Sequence, residues 1–108
     1  MATLIYGTAA HYAANQGDVL DLASPSSPGY RAYKNRAFEK LRLQVEAKTD
    51  VIRISGRMLD TSEWITLHET DGLDPNVLEF VEITPMRYIT VARTEGSSGT
   101  TSKVYLDE

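Results

Sequence analysis

From Leu41 onward the chain alternates. Leu41, Leu43, Val45 and Ala47 are separated by Arg42, Gln44 and Glu46, the period of two shown by a strand with one buried face and one wet face. Further short apolar-rich runs follow at Val51–Ile54, Trp64–Leu67, Val77–Val81, Tyr88–Val91 and Lys103–Leu106. Turn chemistry separates them: Lys48-Thr49-Asp50, Asp71-Gly72, Asp74-Pro75-Asn76, Thr84-Pro85 and the stretch from Glu95 to Gly99. Gly17–Leu22 resembles an earlier strand, with Val19 and Leu20 competing for its inward face. This pattern predicts an all-β, single-domain antiparallel β-sandwich or jelly roll of about eight strands. Modules of this kind usually bind rather than transform.

The first sixteen residues differ. Leu4-Ile5-Tyr6 is apolar, and Ala9, Ala10, Tyr12, Ala13 and Ala14 follow Gly7 and Thr8. The alanines suit a helix, but the run is shorter than the roughly 12–15 residues at which an isolated helix becomes even marginal. Residues 1–16 are therefore set apart as an N-terminal arm, either a short helix packed on the sandwich or an extended segment. Residues 17–108 form the sandwich domain. Ser24-Pro25-Ser26-Ser27-Pro28-Gly29 is a loop by composition, and residues 30–40 tolerate one or two helical turns across the end of the sandwich.

A chain of 108 residues has room for one domain and hides roughly 65% of its unfolded surface. It has no cysteine, so neither a disulfide framework nor a zinc-thiolate site is available. The first residues lack the basic start and continuous apolar run of an export signal, and no window approaches the roughly 18 apolar residues of a membrane span. We expect a protein made in the cytoplasm, with no membrane partner. Net charge is -4 and uneven: residues 1–50 carry six Lys/Arg against five Asp/Glu, residues 51–108 five against ten. An acidic majority disfavours nucleic acid, whose phosphates supply most non-specific affinity. The one basic cluster, Arg31, Lys34, Arg36 and Lys40, is interleaved with Tyr30, Tyr33 and Phe38. That spacing could suit single strands, but a solvated face or salt-bridge partner is the commoner outcome.

Candidate chemistry is sparse. His11 and His68 are the only histidines, and no serine sits in a Gly-x-Ser-x-Gly elbow beside either. Both are expected at the surface, with no catalytic or metal role. Glu69 to Asn76 could offer calcium its oxygens, but the spacing departs from the helix-loop-helix calcium motif and reads as a turn. Trp64, the lone tryptophan, could stack on sugar; we expect it instead at the centre of the core, where truncation to alanine costs roughly 3–5 kcal/mol. Arg53 and Arg87 are expected on outward strand positions, paired with Glu63, Glu79 or Glu82.

Gly56-Arg57-Met58-Leu59-Asp60-Thr61-Ser62-Glu63-Trp64-Ile65-Thr66-Leu67 resembles the strand-turn-strand of small jelly-roll modules in tailed-bacteriophage virions. Those modules often read Gly-Ser-x-Asp-Gly followed shortly by Trp-x-x-Leu; here Arg57 replaces the small residue and Thr61 stands at the turn glycine. Arg87-Tyr88-Ile89-Thr90-Val91 is similar to their aromatic-Ile/Val-Arg-Val strand near the C-terminus, and Ser97 to Leu106 to their closing Gly-Thr turn and last strand. The resemblance spans roughly residues 38–106 and contains no catalytic motif.

It implies a non-enzymatic capsid decoration (cement) protein on the outer surface of the virion shell. The alternative is a tail or fibre accessory module that binds a surface glycan or host receptor. As a cement protein it would need no cofactor and would partner the major capsid protein and itself, as a dimer or trimer. Repeated contacts of about 800 Å² per partner then add up through effective concentration. Shell contact is expected on the arm, through Leu4, Ile5, Tyr6 and Tyr12, and on Arg31, Lys34 and Arg36. The arm is chosen because apolar surface outside a sandwich needs a partner; the competing outcome is an arm folded back onto its own domain.

Overall fold

The computed structural model describes residues 2–47, 50–72, 77–95 and 102–107. Among them are eight strands: β1 (Ala2–Tyr6), β2 (Leu20–Asp21), β3 (Leu41–Ala47), β4 (Val51–Arg57), β5 (Ile65–Glu69), β6 (Val77–Ile83), β7 (Tyr88–Glu95) and β8 (Lys103–Asp107). Two short helices, α1 (Ala9–Ala14) and α2 (Tyr30–Lys34), lie between the early strands. The expected hairpin tip at residues 96–101, and residues 73–76 of the acidic turn, lie outside the described residues. Among the described residues no helix is long and apolar enough to cross a membrane.

The strands form two antiparallel four-stranded sheets, in the orders β1-β8-β3-β6 and β2-β7-β4-β5. Alternation along the strands fills the space between them. Leu43 and Val45 of β3 and Val104 and Leu106 of β8 share one buried cluster with Ile52 and Ile54 of β4 and Ile89 and Val91 of β7. Leu22, just beyond β2, is the buried residue of its segment, whereas Val19 is exposed. Gly29 enters α2 at φ +82°, and a Cβ there would stand 2.9 Å from a Leu41 methyl and 3.3 Å from Leu106. Only glycine lets the loop pass that close to the core.

The N-terminal segment is the main correction. Residues 2–6, expected outside the sandwich, pair with β8 as an edge strand of the first sheet. A bulge between Leu4 and Tyr6 turns both Ile5 and Tyr6 inward, and each is buried. Residues 2–6 thus share a sheet with strands from beyond residue 16. The helix that follows is pinned by a capping box in which histidine takes the usual place of Glu or Gln. Thr8 Oγ1 accepts from the His11 backbone N–H at 3.1 Å, and His11 Nδ1 accepts from the Thr8 N–H at 3.3 Å and the Gly7 N–H at 3.1 Å. Asn15 closes the helix in the left-handed region. Tyr12 donates from its hydroxyl to the Ser102 carbonyl at 3.0 Å, tying α1 to β8.

Beneath α1 lies a polar knot. Asp50 is fully buried, 4.0 Å from the buried Arg93 guanidinium, and Ser102 Oγ donates to its carboxylate at 2.6 Å. Arg93 also donates to the Asn15 side chain. Thr70 Oγ1 donates to the Asp50 carbonyl and accepts from the Ile52 N–H. Tyr6 stacks on His11 with centroids 5.8 Å apart and meets Tyr12 edge-on at 5.7 Å. Burial pushes the Tyr6 phenol above its ordinary pKa, and its hydroxyl has no partner among the described residues.

Candidate functional site

The cationic segment becomes a protruding elbow. α2 is a single turn, and the chain then folds through further turns before β3 begins at Leu41. Three predicted contact residues, Arg31, Lys34 and Arg36, are exposed on it. Arg31 reaches Glu39 at 3.2 Å, and the Arg36 guanidinium lies 5.1 Å over the Tyr33 ring. Phe38, on the same segment, is 92% exposed. Sequence reasoning noticed it only as an aromatic between cations and did not place it among the contacts. A cleft of about 270 Å³ beside the elbow is lined by Arg31, Glu39, Lys40 and Arg42 among others.

The other predicted contacts divide. Leu4 is exposed, Ile5 and Tyr6 are in the core, and Tyr12 is half-buried on β8. Leu4 instead joins an outward row of the first sheet. Register places it opposite Tyr105, Tyr105 opposite Gln44, and Gln44 opposite Phe80. Phe80 is 67% exposed and its neighbour Leu78 66%. Alternation along β6 carried this signal: Val81 and Ile83 face in, so Leu78 and Phe80 face out.

The outward face of the second sheet carries a different aromatic group. Trp64, expected as the core's centre, is half-buried at the surface with the Arg57 guanidinium 4.1 Å over its ring. Arg57 also lies 5.7 Å from the Tyr88 ring and Arg87 4.9 Å from it. Arg87 is held above its ordinary pKa by a hydrogen bond to Asp21. Trp64 immediately precedes β5, the edge strand of its sheet, so it stabilises by stacking under a cation rather than by filling the interior. The expected pairing of Arg53 and Arg87 is also corrected: Arg53 meets Glu69 at 2.7 Å and Arg87 meets Asp21 at 3.4 Å. Registry sets these partners, because Arg53 stands directly across from Glu69 and Tyr88 across from Asp21.

Neither histidine lies fully at the surface. His11 is buried, accepts backbone N–H groups at Nδ1, and faces Asp18 through Nε2 at 3.4 Å. His68 is half-buried and joins the two sheets through Glu79 at 2.7 Å, beside a 200 Å³ cleft shared with Glu69, Thr70 and Asp71. Among the described residues no group of three metal-ligating side chains comes together. No protein-family model, no curated protein and no solved structure matches the chain.

Proposed function

We propose that this chain is a structural virion protein, a non-enzymatic cement that decorates the outer surface of a bacteriophage capsid as a homo-oligomer. The strand orders 1-8-3-6 and 2-7-4-5 support the jelly-roll part of the reading, since they place the fourth-return pairing of a Greek key in each sheet. Both histidine rings are committed to caps and strand-bridging contacts, which supports a non-enzymatic role. The observation that carries the proposal is Phe38, bare on a cationic elbow of an otherwise acidic chain. An exposed aromatic on the same segment as Arg31, Lys34 and Arg36 fits an acidic surface with a hollow for the ring, the usual make-up of an interface anchor.

Deleting residues 2–12 would strip an edge strand and Tyr6 from the core, so the elbow is the cleaner probe. On shells lacking the protein, Phe38→Ser is expected to lower occupancy roughly tenfold or more. The triple reversal Arg31→Glu, Lys34→Glu and Arg36→Glu is expected to abolish it at physiological salt. Unchanged occupancy in both variants overturns the reading. The tail-module alternative has the surface position of Trp64 in its favour and the Arg57 cation over that ring against it. Glycan binding lost on Trp64→Ala would put it in first place.

A further inference from the structure

The outward face of the first sheet has a self-complementary pattern. Its central row is Leu4, Tyr105, Gln44 and Phe80, one residue from each strand in the order β1-β8-β3-β6. Charges flank the row on both sides. Asp107 stands opposite Arg42 on one side, and Lys103 opposite Glu46 on the other. The Arg42–Asp107 ion pair, at 3.7 Å, leaves both side chains at least two-fifths exposed. The apolar ends of the row, Phe80 with Leu78 beside it and Leu4, are exposed and have no covering element among the described residues. An exposed apolar stripe within a sheet face is costly in water unless another surface covers it.

We infer that this face is covered by a second copy of the same chain, packed sheet to sheet about a two-fold axis. Face-to-face sheets pack about 10 Å apart with strands nearly aligned, so residues facing one another follow from the axis. If the axis runs across the strands along the central row, Asp107 meets the partner's Lys103 and Arg42 meets the partner's Glu46. Tyr105, Gln44 and Phe80 then meet their own counterparts, and a pair of Gln44 amides can donate to and accept from each other. If it runs along the strands between β8 and β3, Asp107 meets the partner's Arg42, and Lys103 meets the partner's Glu46. Leu4 then packs on the partner's Phe80. Both in-plane axes set Arg42, Glu46, Lys103 and Asp107 against opposite charges, a property an arbitrary mixed-charge face lacks; Glu82, across from Arg42 at the sheet edge, meets an uncharged residue in either arrangement. A symmetric dimer requires this isologous match.

The proposal supplies a surface for the self-association included in the shell-decoration reading, and it rests on that reading only for its biological meaning. Its test needs no shell. Sedimentation velocity from about 1 µM to about 500 µM is expected to show a monomer converting to a dimer, with dissociation in the micromolar range for a face at the small end of standard interfaces. Phe80→Ser and Lys103→Glu, both at solvent-facing positions, are each expected to weaken association roughly tenfold or more. Charge swapping then identifies the axis. Lys103→Glu with Asp107→Lys restores the dimer if the axis crosses the strands; Lys103→Glu with Glu46→Lys restores it if the axis follows them. A chain that stays monomeric throughout, a dimer indifferent to Phe80→Ser and Lys103→Glu, or a loss rescued by neither swap overturns the proposal. A monomer that still decorates shells sinks this inference alone. A dimer that fails to decorate them sinks the shell reading alone.

Discussion

The polar knot under α1 and the outward face of the first sheet invert the ordinary arrangement in opposite senses. In the knot, Asp50 and Arg93 are charges taken out of water; on the sheet, Phe80 and Leu78 are hydrophobic groups left in it. Both cost free energy in isolation, and the difference is where the compensation comes from. Asp50 has Arg93, Ser102 and the turn around Thr70 within its own chain. Phe80 has Gln44 across from it, Leu78 and Glu82 on either side along its strand, and two-thirds of its surface exposed. The first inversion is settled by folding, and the second is the one the proposed association would settle. Buried polar groups of this kind specify one arrangement of the strand ends, while exposed apolar groups specify a neighbour.

Mutations in the two regions should therefore separate stability from association. The largest effect is expected at Asp50. Asp50→Ala leaves the Arg93 guanidinium buried beside an empty site and should cost about 3–5 kcal/mol in chemical denaturation. That is a large fraction of the roughly 5–15 kcal/mol typical of a domain. A loss below about 1 kcal/mol would show that water reaches the knot and that the contrast with the sheet face is overstated.

Tyr6→Phe tests the same region with the opposite sign. The mutation removes a buried hydroxyl that has no partner among the described residues, so stability should be unchanged or rise by about 1 kcal/mol. Its pH signature is more specific. Burial raises the Tyr6 pKa above 10.0 in the folded state, so the unfolded chain ionises first. The stabilisation is intact below about pH 10 and is lost as pH rises through the folded-state pKa. Tyr6→Phe should flatten that alkaline decline, with the remainder reporting Tyr12, whose pKa burial also raises. Equal alkaline slopes in the two proteins would place the Tyr6 hydroxyl in contact with water.

The smallest expected effect on stability is at Phe80. Phe80→Ser should change unfolding free energy by about 0.5 kcal/mol or less, because the residue stays two-thirds exposed in the folded state. Association, in contrast, should weaken. If Phe80→Ser instead destabilised the monomer by more than about 1.5 kcal/mol, the ring would be supporting its own sheet, and the contrast between the regions would collapse.

The alternating runs from Leu41 onward announced strands, and β3, β6, β7 and β8 appear where period two and turn residues placed them. Such signals are local: each residue's neighbours two positions away state which face is wet. Leu78 and Phe80 were legible by the same rule, because Val81 and Ile83 claim the inward face. What alternation could not convey was partnership between distant segments. Leu4-Ile5-Tyr6 looked like an unattached arm because its partner, β8, lies about a hundred residues away in the chain. A bulge then turned two successive side chains inward, which breaks the period a reader depends on. Trp64 had the composition of a core residue and the position of an edge residue, and only strand order distinguishes the two. His11 became a helix cap because Thr8 preceded it by three positions, a spacing visible in the chain but ordinarily read with Glu or Gln in that place. Hydrophobic periodicity thus selects the layers, since burial is scored residue by residue. Which layers meet, which edge is sealed and which face stays bare depend on contacts between remote segments, and those exist only once the chain has closed on itself.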